Sequence, residues 1–152
     1  MAALLGVSQK TQYAMRALYE LSRQYPTGDV CTVADIAKSQ SIPPRFLEQI
    51  FSKLRSGGYI ESRRGKQGGY TLAVKPTALS VGEIIRFVEG PGESVQCLKS
   101  SDDCSCQNST NCVFKNLWIR AKDAISDIFD STTFQDLVDQ QASASNEIDY
   151  SI

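Results

Sequence analysis

Histidine is missing from this chain of 152 residues. Its absence removes the side chain most often used as a general base near neutral pH, and a common metal ligand with it. Nothing else supplies a general base in a pocket, so an enzyme is not the expected class. Long apolar runs are missing too. None approaches the roughly 18 residues that a membrane span requires, and no membrane partner is expected. The segment from Met1 to Val7 has neither the basic start nor the cleavage pattern of a secretory leader. The expectation is therefore a cytoplasmic protein whose thiols stay reduced.

Net charge is nearly absent, at −1, but its distribution is not even. Residues 1–75 carry 11 Lys/Arg against 5 Asp/Glu, and residues 76–152 carry 5 against 12. A front half at +6 and a back half at −7 suit a polyanion bound at the front alone, or else a solvated imbalance with no partner. The length suggests one domain, or a small domain with an extension, and there is no internal repeat.

Four of the five cysteines fall in one polar segment, GPGESVQCLKSSDDCSCQNSTNC, residues 90–112. Only Val95 and Leu98 are sizeable apolar residues there besides the sulfurs. A segment so poor in core-forming side chains is held by something other than packing, or is not held. Cys97, Cys104, Cys106 and Cys112 could bind a metal or a cluster. Their spacing is C-x6-C-x1-C-x5-C, without the paired C-x2-C of structural zinc sites. The donor set alone leaves zinc and an iron–sulfur cluster both open. Cys31 stands apart and is expected to be a small buried hydrophobe.

Ser8 is placed to cap a helix running to about Tyr25, with Tyr13, Ala14, Ala17, Leu18 and Leu21 at helical spacing. Thr32 and Asp35 form a capping-box pattern for a short helix from Val33 to about Ser39. A tight link, Gln40 to Ile42, leads to Pro43 and Pro44, which fit the first turn of a third helix. There Phe46, Leu47, Ile50, Phe51 and Leu54 make an apolar stripe. Arg45, Glu48, Gln49 and Ser52 fall opposite it. Such groups can read base edges in a major groove, although a polar helix face can equally be plain solvated surface. Gly57-Gly58 ends the helix.

Two short strands are expected next, residues 59–62 and 70–74, around the tip Arg63-Arg64-Gly65-Lys66-Gln67-Gly68-Gly69. Three cations and three glycines at a hairpin tip suit phosphates or a narrow minor groove. A phosphate-binding glycine loop is the rival, but no helix follows the segment and the P-loop and dinucleotide spacings are missing. Short helix, turn, polar-faced helix and basic hairpin, in that order, read as a winged helix-turn-helix. Lys10 and Lys53 are weaker phosphate candidates.

Ser80 and Glu83 form another capping-box pattern, ahead of Ile84, Ile85 and Val88. Beyond Cys112, a long helix carries a seam of Phe114, Leu117, Trp118, Ala121, Ile125, Ile128 and Phe129. The seam can pack on its own domain or on a second subunit. A small head offers limited surface to cover it, which favours the subunit. Thr133 is expected to cap a last short helix through Val138, and residues 142–152 to be a disordered tail.

These segments, in this order, resemble the IscR, NsrR and CymR kind of bacterial repressor. YAMRALYELS is followed by VADIAKSQSIPPRFLEQIFSKLRSGGYIESRRGKQGGYTLA, by SVGEIIRFVEGP, and by C…C-x5-C-x5-W. The likeness spans roughly residues 8–138, and LEQIFSKLR and RGKQGGY are its most specific parts. It implies a homodimeric transcription factor on double-stranded DNA, mainly α with a small β-hairpin wing, often carrying an iron–sulfur cluster (2Fe–2S or 4Fe–4S). Arg45, Glu48 and Gln49 match the positions where that family's recognition helix touches bases. Arg64 matches the wing arginine that enters the minor groove. Arg63, Lys66, Gln67, Ser52 and Lys53 complete the expected DNA-binding set.

Cys106 and Cys112 match the family's middle and last cluster cysteines, and Cys97 the first. Where some members place a fourth-ligand histidine, this chain has Lys115. Other members borrow an aspartate from the partner's first helix, but nothing acidic precedes Glu20 here. Cys104 is then the economical fourth ligand, with Asp102 or Asp103 as fallback. The expected organisation is a head over residues 1–89, a cluster-binding segment over 90–112, and a dimerisation helix with a short helix over 113–141. The expected function is a DNA-binding regulator, a repressor, whose cluster senses iron, redox state or nitric oxide through a small-molecule or gaseous effector. A cluster-free regulator with a thiol switch, or one with structural zinc, is the alternative.

Overall fold

The computed structural model describes residues 7–90 and 113–149. Helix α1, Gln9–Gln24, starts at Ser8, whose hydroxyl accepts from the Thr11 N–H. Its Ala14, Ala17, Leu18 and Leu21 are buried and form one wall of the core. Helix α2, Val33–Gln40, starts at Thr32, which accepts from the Asp35 N–H at 3.1 Å and donates to its carboxylate at 2.6 Å. The chain then reverses through Ser41, the one non-glycine residue of positive φ (53°) among those described. That left-handed step lets the Ile42 N–H reach the Ala37 carbonyl at 3.0 Å, and it aims the next helix across α2.

Helix α3, Pro44–Ser56, follows at once, with Pro44 where no intrahelical N–H is needed. Strand β1, Ile60–Arg63, pairs antiparallel with β2, Gly69–Leu72, in the register Ile60 to Leu72 and Arg63 to Gly69. Each strand is displaced by a residue or two from its expected bounds, an ordinary shift at element ends. Cys31 adds a third, one-residue edge, exchanging two backbone hydrogen bonds with Tyr70 at 3.0 and 2.8 Å. Gly69 permits that approach, because a Cβ there would stand 2.7 Å from the Cys31 carbonyl oxygen.

A 3-10 turn, Pro76–Ala78, leads into α4, Val81–Glu89, which is capped by the Ser80 hydroxyl. Helix α5, Val113–Ser131, and helix α6, Phe134–Asp149, complete the order. Their junction is stitched to the head. The Val81 N–H donates to Thr132, the Phe134 N–H donates to Leu79, and Arg86 pairs with Asp130 at 2.8 Å. Phe134 itself is fully buried in the core.

Two expectations change here. The last helix continues to Asp149, well past Val138. Glutamine and alanine sustain it, and Ser143 and Ser145 donate back to the Asp139 and Gln141 carbonyls, so the expected tail is helical over residues 142–149. Phe46 leaves the apolar stripe. Leu47, Ile50, Phe51 and Leu54 are at most 2% exposed, whereas Phe46 is 56% exposed. At about 100° per residue it lies about 90° from the centre of the other four. No described helix is long and apolar enough to cross a membrane.

Candidate nucleic-acid interface

The helix-turn-helix is held in place from behind. Glu20 is buried on α1, where it accepts from Gln40 Nε2 at 2.6 Å and pairs with Arg23 at 3.2 Å. The last turn of α2 is thereby tied to α1, and α3 leaves it at a fixed angle. The buried stripe of α3 turns its opposite side to solvent. Arg45, Glu48, Gln49 and Ser52 are all exposed there. None of the four makes a side-chain hydrogen bond or ion pair to another described residue.

The wing is fixed to the same helix. The Phe51 ring of α3 meets the Tyr70 ring of β2 at 4.6 Å between centroids, a tilted pair. The Tyr59 N–H donates to the Leu54 carbonyl at 3.0 Å, closing the turn between α3 and β1. Below it, Tyr59 packs edge-on against Phe87 at 4.9 Å and donates its hydroxyl to Glu83. Gly57 makes room for this pair, since a Cβ there would collide with both rings. Burial, with the nearby Glu83 carboxylate, pushes the Tyr59 phenol pKa up, so it stays protonated and donates. Ring pairs of this kind add about 0.5–1.5 kcal/mol beyond area burial, so they favour the wing packed against the helix.

At the wing tip Arg63, Arg64, Lys66 and Gln67 are exposed, around Gly65 with φ of 130°. Arg63 leans back to the Gly28 carbonyl at 3.5 Å. Arg64 and Lys66 make no hydrogen bond or ion pair to a described residue. Lys10 is exposed at the start of α1. Lys53 is placed differently from the phosphate contact expected of it. Its ammonium donates to the Val88 carbonyl at 2.9 Å and lies 5.4 Å from the Phe87 ring centre. It closes the end of α4 while staying partly exposed.

Sequence pattern missed Glu89. Its carboxylate accepts from the Ser8 N–H at 2.7 Å and from the Thr11 hydroxyl at 2.6 Å. Partial burial raises its pKa, but those hydrogen bonds and the Lys53 charge outweigh it and leave the group below its ordinary value. Glu20 and Gln40 were missed as well. Partners 20 and 78 residues apart leave no local signal.

Cys31 is half-buried rather than sealed in the core. Burial, then the charges of Glu20, Asp35 and Asp29, push its thiol pKa up. The shift favours the thiol over the thiolate at this sheet edge. Cys97, Cys104, Cys106 and Cys112 lie outside the described residues, as do Asp102 and Asp103.

On helix α5, no described side chain is buried. Ile125 and Phe129 are half-buried, and Phe114, Leu117, Trp118 and Ile128 are 40–63% exposed. Most of the seam is therefore left uncovered by the described residues.

A short helix, a left-handed turn, a polar-faced helix and a basic hairpin locked to it together define a winged helix-turn-helix regulator of transcription. The Rrf2 family profile, described as an iron-dependent transcriptional regulator, matches residues 7–140, and the chain belongs to that family. The transcriptional regulator CymR of Bacillus subtilis is 34% identical over 133 residues, covering 88% of this chain and 89% of CymR. IscR of Aliivibrio salmonicida is 36% identical over 134 residues, 88% of this chain and 77% of that protein. These relatives are named as regulators rather than enzymes. Among solved structures, T. potens IscR gives a TM-score of 0.73 at 32% identity, over 91% of this chain and 89% of the other. B. subtilis CymR gives 0.74 at 34% identity, over 88% and 96%.

Proposed function

We propose that this regulator binds double-stranded DNA as a homodimer and represses transcription from a palindromic site. Helix α3 lies in the major groove, where Arg45, Glu48, Gln49 and Ser52 meet base edges. Arg64, with Arg63, Lys66 and Gln67, enters the adjacent minor groove or binds its phosphates. The observation that carries this reading is the Phe51–Tyr70 contact, which packs the wing against the buried side of α3 and so sets the wing beside that helix's exposed polar face. The second subunit covers the α5 seam, and one two-fold axis then presents two heads to two half-sites.

Control is assigned to residues 90–112. Four soft thiolates within 16 residues, in a chain without histidine, suit an iron–sulfur cluster held by Cys97, Cys104, Cys106 and Cys112. The C-x6-C-x1-C-x5-C spacing suits zinc less. When bound, such a cluster supplies a crosslink that iron loss, oxidation or nitric oxide can take apart. The chain's own contribution is the route to the head. Glu89 and Val88, at the end of α4, contact α1 and Lys53 of α3 immediately before the cysteine segment. These contacts at the end of α4 are the assigned route by which a signal at the cysteines reaches the recognition helix. A signal can shift DNA binding only through differential affinity for the two states, so holo and apo protein must differ on the operator.

A second reading keeps the fold and drops the cluster. It is favoured by the likeness to CymR, a regulator whose Staphylococcus aureus member has also been solved in an oxidized form (TM-score 0.69, 31% identity). Here the cysteines act as a thiol switch or answer to a small molecule or protein partner. Two measurements on anaerobically purified full-length protein separate the readings. Broad visible absorption, lost on oxidation together with operator affinity, supports the cluster. A featureless spectrum with reversible thiol oxidation that changes affinity supports the switch. Equal operator affinities of the two states overturn cluster control.

A further inference from the structure

Phe46 is a large apolar side chain in the first turn of α3, 56% exposed, where four others of the same helix are sealed in the core. Its neighbour three residues on is Gln49, one of the base-reading candidates, so the two share a strip of helix surface. On its inner side the ring meets Tyr13 of α1, centroids 6.5 Å apart at 53°. Tyr13 flanks the ring on the α1 side and leaves more than half of it exposed. The result is an apolar knob at the N-terminal end of a recognition helix, where base contacts concentrate.

A phenyl ring has no donor or acceptor, so it cannot read a base by hydrogen bonds. The apolar group that a base pair displays in the major groove is the C5 methyl of thymine. We propose that Phe46 is a specificity-determining residue that packs against a thymine methyl, one per half-site, beside the base contacted by Gln49. The proposal deepens the DNA-binding reading above and depends on it.

The test uses the full chain and duplexes selected by it from a random pool. Wild type is expected to enrich sites with a fixed thymine in each half-site. Replacing that thymine by deoxyuridine removes only the methyl and should weaken wild-type binding about fourfold per half-site, the transfer value of one methyl group. Phe46→Ala should enrich sites with that position free and the others kept, and should bind thymine and deoxyuridine duplexes equally. Its thermal midpoint and oligomeric state should stay at wild-type values, and Phe46→Leu should restore part of the thymine preference. The wild-type comparison stands without any variant. If deoxyuridine costs wild type nothing at every fixed thymine, the proposal is overturned. It is equally overturned if Phe46→Ala weakens specific and random duplexes alike, or if it changes the oligomeric state. Failure of wild type to enrich any duplex has a different meaning: it overturns the DNA-binding reading itself, and this proposal with it.

Discussion

Replacing Glu89 by glutamine tests the tie between the end of α4 and the start of α1. One carboxylate oxygen accepts from both the Ser8 N–H and the Thr11 hydroxyl, at 2.7 and 2.6 Å. Glutamine keeps an acceptor oxygen but loses the charge. Charge-assisted bonds are worth about 1.5–3 kcal/mol each when shielded. Glu89 is exposed, so solvent screening reduces the expected loss for the pair to about 1 kcal/mol. Its folded pKa lies below the ordinary value. The contribution is therefore present at pH above the unfolded pKa of about 4.3 and is lost as pH falls through the folded pKa. Urea unfolding at pH 7 should put Glu89→Gln about 1 kcal/mol below wild type. The gap should close as both proteins are taken toward pH 3, because the variant has no such charge to lose. A gap that stays constant across this range, or none at pH 7, would refute the reasoning.

On the surface of the head, Gln49→Ala should relax sequence preference at one position per half-site, at about 1–3 kcal/mol, in binding titrations on selected duplexes. Lys66→Ala should instead weaken all duplexes alike and lower the salt slope by about 1 per head. Equal losses on specific and random DNA for both variants would contradict this division of labour. Ser41→Gly should raise stability by about 0.5–1 kcal/mol, because a non-glycine residue now holds a φ of 53°; a lower thermal midpoint would contradict it. Phe134→Ala, which empties a fully buried site between the α5–α6 junction and the head, should cost about 3–5 kcal/mol in denaturant unfolding. A loss below 1 kcal/mol would show that this junction does not anchor the pair.

The head was legible in the sequence because its signals are local. Thr32 with Asp35, the twin prolines before α3, Gly57-Gly58 and the glycines of the wing each act within a few residues, and each marks the boundary it should. The polar face of α3 followed from the position of the stripe opposite it. What was not legible depends on side chains distant in sequence. Phe46 counts as apolar in any periodic reading, yet the stripe's centre lies a quarter-turn away and the ring meets Tyr13 at the edge of the core. The bond of Lys53 to the Val88 carbonyl, 35 residues away, has no local signal either. Helix α6 runs past its expected end through serines that by composition signal a loop, their hydroxyls bonding to the carbonyls one turn back. The apolar seam of α5 was plain in the sequence, and the other described residues leave most of it uncovered.

The claim beneath these predictions is that α3 and the wing grip one duplex together. Photo-crosslinking tests it directly, on one selected duplex sequence carrying either 5-iododeoxyuridine at single positions to probe the major groove or an azidophenacyl group on single backbone phosphorothioates to probe the edges of the minor groove, with mass spectrometry to locate the attached residues. The account predicts major-groove adducts within residues 45–52 and minor-groove-adjacent adducts within residues 63–67, both from the same duplex. Adducts confined to α5 or α6, or wing adducts that appear without any on α3, would contradict it.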